Sequence, residues 1–258
     1  MDEIDQMILY YLLQDGRMTQ RLIARNIGIS AQTLNYRITK LTEEGVIKNF
    51  IVYADPALYG ELKAFAAFQS DDEIEPDYFI KIKCLEKITL YGIIGKTAEE
   101  ISSKIDKMSR VLGEPVMTYN PTNTNYAVNS NSIDHLIVDQ LRKMPKSKLS
   151  DISKALNLPS MRVKRRYNYL TRNKLIKVLP LLDFSKNNSV IFAIFSKKTE
   201  EVEPLLSKSI ILKIGDTNSG IFICYGENMP NSKTIINRVR AVEKDPDVMV
   251  VYDYDFLS

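Results

Sequence analysis

An internal repeat constrains this chain more than any other feature of it. Shifted by 129 positions, residues 3–50 align with residues 132–179 without a gap. Ile4, Asp5, Ile8 and Leu12 fall on Ile133, Asp134, Ile137 and Leu141; Ile23 falls on Ile152, Arg37 on Arg166, Leu41-Thr42 on Leu170-Thr171 and Ile47-Lys48 on Ile176-Lys177. Where identity is lost, apolar mostly replaces apolar, as at Ile27 and Leu156 or Val46 and Leu175. Apolar positions held at helical spacing are buried ones, so the two segments are expected to share a fold. Weaker echoes follow each segment: Glu73-Ile74-Glu75-Pro76 answers Glu201-Val202-Glu203-Pro204, and Pro115 to Tyr119 answers Asp247 to Tyr252. The repeat predicts an A-B-A′-B′ array of four small domains at 1–60, 61–130, 131–186 and 187–258.

In A, Ile4, Ile8 and Leu12 with Met7 and Tyr11 give the stripe of an amphipathic helix that Asp15-Gly16 ends. A second helix runs from Thr19, its N-cap, through Leu22, Ile23 and Ile27. Gly28-Ile29-Ser30 is a tight turn and a fresh N-cap, and Leu34, Ile38 and Leu41 are the buried stripe of a third helix stopped by Gly45. Two helices joined by a short glycine-containing turn form a helix-turn-helix, and Val46 to Tyr53 alternates as the strands of a wing. In B′, strands at Val190 to Phe195, Ile210 to Ile214, Ile221 to Tyr225 and Val248 to Tyr252, with a helix at Ser232 to Val242, follow the split βαβ order of ferredoxin-like domains. B shows strands at Ala64 to Phe68, Ile88 to Ile94 and Val116 to Tyr119 and a helix from Ala98 to Leu112. Its first helix is foreshortened, from Pro76 to about Ile80, and its second strand has no clear place. The expected fold is α+β, two winged helix-turn-helix domains alternating with two ferredoxin-like βαββαβ domains.

Composition, with 45% hydrophobic and 26% charged residues, excludes a disordered or fibrous chain. No apolar run approaches the roughly 18–20 residues of a membrane span, and Met1-Asp2-Glu3-Ile4-Asp5 is acidic where a signal peptide is basic, so a cytoplasmic chain with no membrane partner is expected. Cys84 and Cys224 lie far apart and His135 is the single histidine, which leaves no disulfide framework, no zinc site and no expected cofactor. A lone histidine also argues against Ser-His or Cys-His catalysis, and no enzyme is expected. The net charge of +3 conceals a division: residues 132–186 carry 13 Lys/Arg against 4 acids, a net +9, while the rest is mildly acidic. A localised positive field points to a polyanion partner.

The motifs of A resemble the leucine-responsive and asparagine-synthase regulator family (Lrp/AsnC). Glu3-Ile4-Asp5-Gln6-Met7-Ile8-Leu9 is similar to the family's LDxxDxxIL opening, and Asp15-Gly16-Arg17 to its DGR. Ile27-Gly28-Ile29-Ser30, Thr33-Leu34 and Arg37 to Ile47 resemble its recognition helix and LExxGVI stop. The second copy is more distant, since Gly28 becomes Asn157, Gly45 becomes Lys174 and Asp15-Gly16 becomes Met144-Pro145. Members are usually about half this length and dimerise, so the resemblance implies a fused tandem pairing A-B with A′-B′ within one chain, with a homodimer or higher assembly as alternatives. It implies a sequence-specific regulator bound to double-stranded DNA and modulated by a small effector such as an amino acid. Siroheme decarboxylases are similar in architecture and give the alternative of a tetrapyrrole enzyme; a DNA-binding architectural protein is the third reading.

With Leu34, Ile38 and Leu41 inward, Gln32, Thr33, Tyr36, Arg37 and Lys40 face outward, and the repeat pairs them with Met161, Arg162, Arg165, Arg166 and Tyr169. Amides and hydroxyls such as Gln32 and Thr33 suit base edges, and Arg37 suits guanine or phosphate. Arg162, Lys164, Arg165 and Arg166, with Tyr169 on the same helix and Arg172, Lys174 and Lys177 beyond, suit phosphates. Head A is expected to read and head A′ to hold. The resemblance places an effector near the loop between middle strands, which carries Gly215, Asp216 and Asn218, with Gly95 in the first unit; hairpin chemistry alone also explains those glycines. Gly95-Lys96-Thr97 lacks the first glycine of a phosphate loop, position 90 being Leu90, and Thr97 with Glu100 fits a helix cap. Asp71-Asp72 and Glu99-Glu100 are expected at helix starts, and His135 at the surface.

Overall fold

The computed structural model describes residues 1–75, 77–119, 130–215 and 218–256. In chain order the elements are α1 (Glu3–Gln14), α2 (Gln20–Ile27), α3 (Ala31–Glu43), β1 (Ile47–Ala54), β2 (Leu62–Gln69), β3 (Ile80–Cys84), β4 (Ile88–Gly95), α4 (Ala98–Leu112) and β5 (Met117–Tyr119). They continue with α5 (Ser132–Lys143), α6 (Leu149–Ala155), α7 (Ser160–Arg172), β6 (Ile176–Leu182), β7 (Val190–Ser196), α8 (Thr199–Leu206), β8 (Ile210–Gly215), β9 (Gly220–Gly226), α9 (Met229–Arg240) and β10 (Asp247–Phe256). Of the described residues, 11–61 and 130–183 form one compact unit, and 1–10, 62–119 and 184–256 form the other. No described helix is long and apolar enough to cross a membrane.

The first unit holds both helix-turn-helix heads. In head A the Thr19 hydroxyl accepts from Leu22 N at 3.3 Å and the Ser30 hydroxyl from Thr33 N at 3.0 Å, so α2 and α3 start where the capping residues stand. Gly28 at φ 82° ends α2 and Gly45 at φ 72° follows α3. Head A′ keeps this left-handed backbone without glycine: Asn157 sits at φ 50° and Lys174 at φ 57°. Asparagine tolerates that region, whereas a lysine there is strained by about 1–2 kcal/mol. Its two N-caps, Lys148 and Pro159, make no side-chain cap bond. The Ser153 hydroxyl instead ties the turn to Leu158 O at 2.5 Å and Ser160 Oγ at 3.0 Å.

The wing differs from expectation. Residues 46–53 do not fold into a hairpin of their own head. They supply a single strand, β1, which pairs antiparallel with β6 of the other head to make a two-stranded sheet. Val52 and Leu58 then join a core built from Ile137, Val138, Leu141, Ile152, Val163 and Leu170 of head A′. Phe50 faces Pro180 and Ile51 faces Leu179, so each strand pairs about the position equivalent to its own under the repeat. Pro180 fits because a two-stranded sheet leaves one side of each strand without ladder bonds.

The second unit is an eight-stranded antiparallel sheet in the order β5-β2-β4-β3-β10-β7-β9-β8. Each quartet has the ferredoxin-like order, fourth strand, first, third, second, and β3 pairs with β10 to join them. In the second quartet α8 and α9 cover Phe192, Ile194, Phe222 and Cys224 with Val202, Leu206, Ile235 and Val239. In the first, α4 covers Ala64, Ala66, Phe68, Tyr91 and Ile93 with Ile101, Met108 and Leu112. Cys84 and Cys224 are both buried strand residues.

The foreshortened helix of B is corrected. Among the described residues no helix lies between β2 and β3, and Ile80, where the helix was to end, opens β3. Pro76 lies outside the described residues. The segment is too short for helix and loop together, and Ile74 and Tyr78 cover the core in the helix's place. Glu73 closes the gap by accepting from Lys83 at 2.6 Å and from Lys81, and these bonds hold its carboxyl at about 2. Asp71 and Asp72 therefore start no helix; Asp71 pairs with Lys87 and Asp72 accepts from Ser70. Glu99 and Glu100 do lie in the first turn of α4, which Thr97 caps.

Candidate nucleic-acid interface

Helix α3 buries Leu34 and Leu41 and exposes Gln32, Thr33, Tyr36 and Lys40, with Arg37 and Ile38 part-buried. Tyr36 is 67% exposed, a large ring that contributes little to the head's own core. The Thr33 hydroxyl lies 2.8 Å from Ser30 Oγ, so it serves the cap as well as the outer face. Lys40 and Glu44 form a loose exposed pair at 3.8 Å. Helix α7 buries Val163 and Leu170 and exposes Arg162, Lys164 and Arg165. Lys143, Lys148, Lys154, Arg172 and Lys174 are also exposed, so the positive charge of this segment reaches solvent.

Three residues expected to face DNA, Arg166 and Tyr169 on α7 and Lys177 beyond it, are part-buried. Arg166 donates from Nε to Asp134 Oδ1 at 2.7 Å and from Nη2 to Asp134 Oδ2 at 2.5 Å. The Asp134 side chain is fully buried and that of Arg166 only 13% exposed. Asp134 also accepts from Asn131 N at 2.9 Å, completing the capping box that starts α5. Tyr169, part-buried, takes the Arg166 guanidinium over its ring at 4.4 Å. Arg166 thus fastens α7 to α5, and Tyr169 covers its guanidinium from the same helix. Lys177 lies part-buried on β6 opposite Tyr53, off the recognition helix, and burial pushes its ammonium down to about 8.

Met161 carries no role in the sequence analysis beyond its place in the repeat. It stands at the position equivalent to Gln32, is 75% exposed, and lies beside Arg162 at the start of α7. An exposed apolar side chain in a basic surface suits the methyl of a thymine. The signal was the repeat itself, which puts it among the outward positions.

His135, expected at the surface, keeps intermediate exposure. Its Nε2 lies 2.9 Å from Leu58 O and its ring 4.9 Å from that of Tyr59. The effector loop gains no support from its glycine. Gly215 stands at φ 149°, and a Cβ there would lie 2.4 Å from Gly220 Cα and 2.5 Å from Ser219 O. Close approach of β8 to β9 requires glycine with or without a ligand. Gly215→Val is therefore expected to lower the thermal unfolding midpoint by several degrees, before any effector is added; an unshifted midpoint would free the residue for a binding role. Asp216 lies outside the described residues. Asn218 makes interactions of its own within the structure. A cavity of about 240 Å³ in the same unit lies at the other middle hairpin, lined by Ala67, Ile88, Met117 and Met249 with Glu86 and Asp247.

Exposed third helices on two heads, one of them strongly basic, place the chain in the helix-turn-helix class. A winged helix-turn-helix DNA-binding model matches residues 1–48. The chain is 37% identical over 125 residues to the HTH-type transcriptional regulator FL11 of Pyrococcus furiosus, covering 44% of this chain and 83% of that one. It belongs to the Lrp/AsnC family. It spans about 60% of the length of the HTH-type regulators of Pyrococcus abyssi and Pyrococcus horikoshii that it matches at 33% and 32% identity. Among solved structures, an AsnC family regulator from Agrobacterium tumefaciens matches 46% of this chain and 86% of its own at 17% identity and TM-score 0.34. The siroheme decarboxylase NirDL matches 98% of this chain and 92% of its own at 12% identity and TM-score 0.49.

Proposed function

We propose that the chain is a sequence-specific transcriptional regulator that binds double-stranded DNA with both heads, a pseudo-dimer formed within one chain by 1–60 with 61–130 and 131–186 with 187–258. Helix α3 reads bases through Gln32, Thr33, Tyr36, Arg37 and Lys40, while α7 holds phosphates through Arg162, Lys164 and Arg165. The carrying observation is that these side chains, all exposed except the part-buried Arg37, stand on third helices of two heads in one unit, and that residues 132–186, which hold the second head, carry a net +9. Heads of this kind take half-sites about 34–36 Å apart or a multiple of that. Any small-molecule effector is assigned to the sheet unit, where Glu86 and Asp247 beside the small cavity suit a cationic group such as the ammonium of an amino acid. The regulator reading is favoured over a tetrapyrrole enzyme by the placement of the single histidine, His135, within a DNA-binding head.

Selection of genomic fragments by the purified chain at near-physiological salt tests this directly. A bipartite enriched sequence is expected; salt-sensitive binding without enrichment would leave an architectural protein, and no binding would overturn the reading. On the selected site Gln32→Ala is expected to cost about 1–3 kcal/mol, and on random DNA nothing measurable. Equal losses on both would show that head A does not read sequence. Gln32 is the cleaner probe, because Thr33→Ala also disturbs the Ser30 cap.

A further inference from the structure

We propose that Arg17 and Lys146 are positioning residues that fix the separation of the two recognition helices and so set the half-site spacing the chain accepts. This rests on the DNA-binding reading above. Arg17 donates from Nη1 to Pro145 O and from Nη2 to Ser147 O, each at 2.6 Å. Lys146 donates to Gly16 O. Under the repeat Gly16 corresponds to Pro145 and Arg17 to Lys146. Each head therefore offers a cation to the same backbone carbonyl of the other, as the two halves of an isologous interface do. The loops have diverged from Asp15-Gly16-Arg17 to Met144-Pro145-Lys146, and the reciprocal cation-to-carbonyl bond is what remains.

Both sides of this clasp are seated on the elements that matter for reading DNA. Gly16 N donates to Val178 O at 2.9 Å, and a Cβ at Gly16 would lie 2.7 Å from that same oxygen, so the loop rests directly on β6. The Arg17 guanidinium stands 5.2 Å from the centre of the Tyr167 ring, on the recognition helix of the other head. Asp15 Oδ1 accepts from Arg17 N at 2.8 Å and shapes the loop that carries it. Lys146 lies over the Phe50 ring of β1 at 4.4 Å, and burial lowers its pKa. The β1–β6 pair alone is a two-stranded ribbon, which twists readily. Reciprocal bonds between the two loops, seated against that ribbon, restrain the twist, and the forked guanidinium, bound to two carbonyls at once, fixes orientation where a single donor would not.

The test uses the full chain and the bipartite site it selects, rebuilt with the spacer lengthened or shortened by one to three base pairs, together with an isolated half-site. For the unaltered chain a shifted spacer is expected to lower affinity roughly tenfold or more, the effect of one or two mismatched base pairs. For R17A, and independently for K146M, which keeps the stem over Phe50, the shifted and original sites are expected to bind within about threefold of each other, while isolated half-site affinity is unchanged. R17K should restore part of the spacing preference. Variants that keep the full preference overturn the inference, as do variants that lose affinity equally at every spacing and on the isolated half-site. If the unaltered chain selects no bipartite site, the sequence-specific reading fails first and this inference with it.

Discussion

Replacing Arg162, Lys164 and Arg165 together by alanine is expected to weaken binding to every DNA sequence alike and to flatten the dependence of log K on log salt by about 2.7, roughly 0.9 for each phosphate that is no longer neutralised. Over a fourfold rise in salt that difference amounts to about 1.6 decades of affinity. All three side chains are exposed on α7, so the change should leave the fold within about 0.5 kcal/mol of its starting stability. The measurement is a series of binding titrations from low to physiological salt, on the selected site and on random DNA. An unchanged slope would remove head A′ from the interface. Arg166 does not belong in this set: its alanine variant is expected to act through stability.

The larger effect on the fold is expected from Asp134→Ala. The substitution leaves the Arg166 guanidinium, only 13% exposed, without its counter-ion, at an expected cost of about 3–5 kcal/mol. It also breaks the capping box that Asp134 closes with Asn131, worth about another 1 kcal/mol. Urea unfolding of the variant against the unaltered chain measures the sum. Replacing both partners at once, as in Asp134→Leu with Arg166→Met, should recover much of the loss, because no charge is then left buried alone. A single variant as stable as the starting chain would mean that the pair is not closed in solution.

The heads were legible because their chemistry is local and stated twice. Thr19, Gly28 and Ser30 fix helix ends through their own side chains or lack of one, and the apolar stripe recurs 129 positions later. The partner of β1 was not legible: alternation marks a strand but does not say which strand lies beside it, and β6 is over a hundred residues away. The missing strand of B was present as the alternation Ile80-Lys81-Ile82-Lys83-Cys84, obscured by the match of Glu73 to Pro76 with a segment that is helical in B′. Arg166 was misplaced because a helical wheel ranks exposure from one element only. Yet the repeat holds an Asp and an Arg at the same places in both copies, Asp5 with Asp134 and Arg37 with Arg166, among otherwise mostly apolar identities. In the second copy these two side chains meet as a buried pair, which a wheel drawn on one helix cannot show.

The head-to-head strand pair carries one more consequence. Two identical heads related by a true two-fold axis bind a palindrome the same way in either direction. Here the sheet joins heads that present different side chains, Gln32 and Thr33 on one and Met161 and Arg162 on the other, in a single covalent chain. On the proposed operator such a chain has a front and a back. The site it recognises is an arrow, and inverting the site beside a promoter turns the bound protein around.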